Sequence, residues 1–130
     1  MPVLTELLKI EGYEPAVKWC ESHTDVVKEG YSLSKEAVVV WTMITATKLI
    51  KQGIRLNCTI PGPTQTPMMA HFESATQPIN RRSTPEEQAA PLVFLNSPAS
   101  SYVNGVVFPV DGGFMGGITT GQIDPRSLMG

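Results

Sequence analysis

Tyr31 and Lys35 stand four residues apart in the string GYSLSKEAVVVWTMITATKLI. On a helix, one turn separates such residues and their side chains leave from the same face. A phenol beside a fixed ammonium makes a proton donor and acceptor. A unit charge about 4 Å away at an effective dielectric of about 20 is worth roughly 4 kcal/mol in favour of the phenolate, and desolvation opposes it. Taken alone, the pair is weak evidence, because any amphipathic helix can carry it and a surface tyrosine packed on a lysine stem is then the stronger reading, so the surrounding elements have to decide.

Those elements can be read in order. Leu4 to Ile10 and Pro15 to His23 suit short helices. Ser34 to Gln52 predicts a long helix, with Lys48 and Lys51 in its last turn and Gly53 just beyond it. Its apolar residues cover more than one face. That predicts burial on both sides, against a sheet and against another subunit or domain. Ile54 to Ile60 predicts a strand that ends at Pro61-Gly62, and Gly62 to Ser83 reads as a loop. Thr84-Pro85-Glu86-Glu87 carries a cap, a first-turn proline and two first-turn acids, opening a helix to Leu95. Val106 to Val110 predicts the last strand, closed by a tight turn at Asp111-Gly112-Gly113. Gly116 to Gly130 reads as an irregular tail. Strand, helix, strand suggests a parallel crossover.

Three blocks carry a resemblance: Tyr31-Ser32-Leu33-Ser34-Lys35; Asn57, Pro61-Gly62 and Thr66; and Asn104-Gly105 through Asp111-Gly112-Gly113. In this order and spacing they resemble the C-terminal half of the short-chain dehydrogenase/reductase family. The segment EGYEPAVKWCESH is similar to the hydroxysteroid dehydrogenase/carbonyl reductase branch. The resemblance implies an α/β fold, the C-terminal part of a Rossmann-like doubly wound parallel sheet that is incomplete in this chain. It implies one partial domain over 1–130, with a substrate-loop region at 66–83 and a C-terminal tail at 114–130.

The implied activity is an NAD- or NADP-dependent hydride transfer, in a complete chain, between a secondary alcohol and a ketone. A hydroxysteroid or an aromatic carbonyl is the small-molecule substrate the insert suggests. Tyr31 would exchange the proton with the carbonyl oxygen, and Lys35 would support it and bond the nicotinamide ribose. Pro61, Gly62, Thr64 and Thr66 would hold the nicotinamide end of the cofactor, although Pro61-Gly62 also reads as a plain strand-ending turn and Thr66 as a local turn residue. Met68, Met69 and Phe72 suit an adaptable apolar lid over the substrate, and ordinary packing accounts for them as well.

Other family features are missing from the sequence. No G-x-G-x-x-G follows a strand, and no serine precedes the tyrosine at the family's spacing. The expectation is therefore a fragment that neither turns over nor binds cofactor tightly by itself. A different class of reading is a non-catalytic remnant that serves as an oligomerisation module.

Composition narrows the partners. A net charge of −2, with no basic stripe beyond Arg81-Arg82, gives no electrostatic case for nucleic acid or an anionic membrane. Cys20 and Cys58 are too few for a disulfide framework and too scattered for a metal site. No apolar run is long enough to span a bilayer, and the first residues lack a signal-peptide pattern. A cytoplasmic protein that forms a homo-oligomer through the long helix is expected.

Overall fold

The computed structural model describes residues 2–67 and 77–124. The chain divides into two compact units, Met1–Cys58 with Asn104–Val106, and Thr59–Val103 with Val107–Gly130.

The first unit is helical. α1 (Pro2–Leu7), α2 (Tyr13–Ser22) and the single turn α3 (Thr24–Val27) lead into α4 (Tyr31–Leu49), which tightens into a 3-10 turn at Ile50–Gln52. The two predicted N-terminal helices exist with shifted bounds. α1 packs on α4, and Leu4, Trp19, Val40 and Ala46 are buried. The Trp19 indole N–H donates to Glu6 Oε1 at 3.0 Å, and its ring stacks on His23 at 4.1 Å.

α4 starts three residues earlier than its sequence suggests. Gly30, left-handed at φ 77°, precedes it, and the Ser34 amide already donates to Gly30 O at 2.9 Å. Gly53 ends the 3-10 turn in the left-handed region, φ 76°, as a residue beyond a helix often does. α4 buries Val40, Thr42 and Ala46, whereas Val38, Trp41 and Met43 are exposed.

The predicted strand 54–60 is shorter, β1 (Cys58–Pro61). Side-chain amides take over where the ladder would have continued. Leu56 N–H donates to Asn104 Oδ1 and Val106 N–H to Asn57 Oδ1, both at 3.0 Å. The half-buried Asn57 amide is thereby engaged in structure.

In the second unit β1 pairs with β2 (Val107–Val110). The amides of Cys58 and Gly62 donate to Val106 O and Val110 O. Both partners advance together, which is parallel pairing. Between them runs α5 (Pro85–Leu95), as predicted, with a complete capping box. Thr84 Oγ1 accepts from Glu87 N–H, and the Glu87 carboxylate accepts from Thr84 N–H. Leu95 and Ser100 are buried, and Ser100 Oγ closes the end of α5 by donating to Leu95 O at 2.9 Å.

The expected turn at Asp111-Gly112-Gly113 is present, with Gly112 and Gly113 left-handed at φ 62° and 92°, but the start of the expected irregular tail is α6 (Phe114–Thr119). Asp111 supplies the missing start signal, because its carboxylate accepts from the amides of Gly113 (3.0 Å) and Met115 (2.8 Å). Gly117 is tolerated inside this helix for packing reasons: a Cβ there would lie 2.5 Å from Ile123 Cδ1. No helix among the described residues is long and apolar enough to cross a membrane.

Candidate functional site

Tyr31 is the first residue of α4 and Lys35 the fifth. The Lys35 ammonium sits over the Tyr31 ring, 5.4 Å from its centroid, within cation–π range. The helix thus brings the two side chains together on one face. Tyr31 is 68% exposed, so its hydroxyl is open to a reactant.

The start of α4 is held by a residue that sequence reasoning passed over. Glu29 accepts the Ser32 hydroxyl at 2.8 Å. Its carboxyl lies below the usual range because it accepts its own backbone N–H, then the Ser32 hydroxyl and the Ser32 N–H. Ser34 Oγ donates to Tyr31 O at 2.7 Å. An acid one residue before the left-handed glycine was the available signal, since negative charge favours a helix N-terminus.

Pro61, Gly62, Thr64 and Thr66 belong to the second unit. Gly62 leaves β1 so close to the end of β2 that a Cβ would lie 2.9 Å from Asp111 Cα. The glycine requirement therefore comes from a neighbouring backbone, not from a ligand. Thr64 Oγ1 donates to Gly62 O at 2.9 Å and accepts from Ser83 Oγ at 3.1 Å. The backbones of the two segments also pair, Ser83 N–H to Pro63 O and Gln65 N–H to Ser83 O. Thr66 is exposed on the following bend. Met68, Met69 and Phe72 lie outside the described residues.

Beside this turn lies a cavity of about 260 Å³, lined by Gly62, Pro63, Arg81, Ser83, Gln88 and Gly112 among others. Arg81 bonds both Glu87 oxygens, at 2.6 and 2.8 Å. The guanidinium, followed by the Thr84 N–H, holds the Glu87 carboxyl down to about 2. Among the described residues no group of three His, Cys, Asp or Glu side chains could hold a metal ion.

A parallel strand–helix–strand crossover, with a long helix bearing a tyrosine–lysine pair before it, defines the C-terminal part of a Rossmann-like doubly wound α/β sheet. A family model described as enoyl-(acyl carrier protein) reductase matches residues 22–115. The chain belongs to the short-chain dehydrogenase/reductase family.

Individual relatives agree with that placement. Coniferyl-alcohol dehydrogenase of a Pseudomonas species is 30% identical over 118 residues, 83% of this chain and 46% of the relative. The 3-alpha-hydroxysteroid dehydrogenase/carbonyl reductase of Comamonas testosteroni is 38% identical over 93 residues, 64% of this chain and 36% of the relative. Among solved structures, a short-chain type dehydrogenase/reductase from Mycobacterium marinum aligns with a TM-score of 0.60 at 33% identity, covering 65% of this chain and 35% of that one. A Beutenbergia cavernae protein, described as an NAD(P)-dependent gluconate 5-dehydrogenase and solved with NADP at low occupancy, aligns at 0.61 and 38% identity, covering 66% and 38%. The chain spans less than half the length of these relatives.

Proposed function

We propose that this chain supplies the proton-transfer and nicotinamide-holding part of an NAD- or NADP-dependent oxidoreductase that interconverts secondary alcohols and ketones. The observation that carries the reading is the Lys35 ammonium seated over the Tyr31 ring on the open first turn of α4. Tyr31 Oη gives its proton to a carbonyl oxygen in reduction and takes the alcohol proton in oxidation. Lys35 lies over the phenol ring and offers ammonium donors to ribose hydroxyls.

The donor set suits one end of a dinucleotide. The first unit offers the Lys35 ammonium, and the second, taken by itself, offers the exposed Thr66 on the bend that follows the Gly62–Thr64 turn. No glycine-rich diphosphate turn occurs in the sequence. Bound nicotinamide would supply or accept the hydride. Met68, Met69 and Phe72 are assigned to the substrate side, and a hydroxysteroid or aromatic carbonyl is the substrate class. Relatives named for coniferyl alcohol, a 3-alpha-hydroxysteroid and cyclohexanol support a small alcohol or carbonyl. The assignment further includes a single partial family domain over 1–130, a cytoplasmic setting, consistent with two free cysteines, and a homo-oligomer.

The test is Tyr31→Phe in a polypeptide that contains this chain and turns over. Loss of the hydroxyl should cut turnover by at least ~10²-fold, as removal of a positioned acid–base group does, while cofactor affinity is largely kept. Near-normal turnover would remove Tyr31 from the mechanism. In the 130-residue chain alone, saturable NADH binding would overturn the expectation that it does not hold the cofactor tightly.

The exposed Val38, Trp41 and Met43 on α4 favour a second reading, in which the chain acts as an oligomerisation module without catalysis. Self-association together with no turnover in any longer polypeptide would select it.

A further inference from the structure

Gln88 stands in α5, far along the chain from either part of the candidate site, yet its side chain reaches the turn at Gly62. Gln88 Nε2 donates to Ser83 Oγ and to Val110 O, both at 2.9 Å. Val110 O also accepts from Gly62 N–H at 2.9 Å. Ser83 Oγ lies 3.1 Å from Thr64 Oγ1, which in turn lies 2.9 Å from Gly62 O. The contacts close into a ring that leaves Gly62 by its carbonyl and returns by its amide.

Donor bookkeeping fixes the direction of the ring. A backbone carbonyl only accepts, so the single Thr64 hydroxyl hydrogen goes to Gly62 O. The Ser83 hydroxyl hydrogen goes to Thr64 Oγ1 at 3.1 Å, with Pro63 O at 3.3 Å as the other acceptor in reach, and is used in either case. Ser83 Oγ must in turn accept, and Gln88 Nε2 is the donor that reaches it. The second Nε2 hydrogen serves Val110 O. Only a two-hydrogen donor at position 88 satisfies both acceptors, and glutamine supplies one.

We propose that Gln88 is a positioning residue for the Gly62–Thr64 turn, fixing it through this polarised ring. The proposal rests on the assignment of that turn to the nicotinamide end. Gln88 touches neither the reacting atoms nor Tyr31 in this role. It acts through Ser83 and Val110.

Gln88→Glu is the discriminating variant, because it keeps the shape and replaces two donor hydrogens by an acceptor. Gln88→Met keeps the length and removes both. The readout is the amide-exchange protection of Gly62 in the 130-residue chain without cofactor, with Asn96 N–H, which donates to Leu92 O in α5, as internal control. At pH 7 Gly62 protection should fall at least about tenfold in both variants, as loss of a partner for a part-buried group implies, and Asn96 should not change.

On acidification the introduced carboxyl gains one O–H and can donate to Ser83 or Val110. Part of the protection should then return in Gln88→Glu and not in Gln88→Met. Arg81, Glu87 and Asp111 also line this cavity, so the same pH series on the unmodified chain and on Gln88→Met separates their titration from that of position 88.

Unchanged Gly62 protection, an equal fall at Asn96, or identical pH behaviour in the two variants would overturn the proposal. In a polypeptide that turns over, Gln88→Glu should raise the cofactor KM with kcat little changed, the mark of lost binding common to ground and transition states. The exchange experiment uses no cofactor, so its failure leaves the oxidoreductase reading standing. Failure of the Tyr31→Phe test leaves the ring standing.

Discussion

The two candidate regions, one in each compact unit, are held in opposite ways. Tyr31 and Lys35 sit on an open helix turn, braced at the backbone by Glu29, Ser32 and Ser34 but with the phenol 68% exposed. In the Gly62–Thr64 turn the Gly62 amide donates to Val110 O, the Gly62 carbonyl accepts from Thr64 Oγ1, and Thr64 Oγ1 accepts from Ser83 Oγ. In the proposed roles, a proton-transfer group gains access by being anchored through its main chain and left free at its tip, and a turn that presents backbone to a ligand keeps its shape because its own polar groups are satisfied internally. Substitutions should therefore unfold the second region readily and the first hardly at all.

Gly62→Ala should show the largest effect on stability. The new Cβ would meet the Asp111 main chain, which cannot swing aside as a side chain can. Overpacking of this kind costs about 1–3 kcal/mol, to be read as a shift in denaturant midpoint. A midpoint equal to that of the unmodified chain would break the contrast.

Asp111→Ala comes next. It strips the carboxylate from the amides of Gly113 and Met115, for a cost of about 1 kcal/mol with local fraying of α6. Exchange protection at Gly117 and Thr120 is the sensitive measure.

A smaller effect lies in acid. The Glu87 carboxyl is depressed from 4.5 to about 2 by Arg81 and the Thr84 N–H. A depressed acid stabilises the fold above its unfolded value, and the contribution fades as pH falls from about 4.5 through about 2. Glu87→Gln should flatten that part of the stability–pH curve. Added salt should do the same, because the pair is exposed. Smallest of all, Tyr31→Phe should leave stability within about 0.5 kcal/mol, as exposed positions do. A larger loss would mean the phenol is structural, and would weaken its assignment to chemistry.

The sequence made local signals legible and concealed long-range ones. The Thr84–Glu87 capping box, Gly53 beyond the long helix and the Tyr31–Lys35 spacing each depend on neighbours within a turn or so. β1 was overestimated because nothing in Ile54 to Asn57 shows that the asparagines at 57 and 104 would intercept ladder donors. α6 was missed because two glycines at 116 and 117 argue against a helix, while the cap that starts it, Asp111, read as part of a strand-closing turn. Gln88 was passed over as one polar residue in the run QAAPLVFL. Its solitude on that apolar stretch was the only hint of a buried assignment.

Asn104 links α4 to the chain ahead of β1, since Nδ2 donates to Ala46 O while Oδ1 accepts from Leu56. At about 1.5 Å per residue Tyr31 lies about 22 Å up the helix from Ala46, so a tilt of about 5° at the asparagine sweeps the phenol through about 2 Å. Asn104 is thus, with the packing of α1, one of the contacts that set the direction in which α4 carries Tyr31.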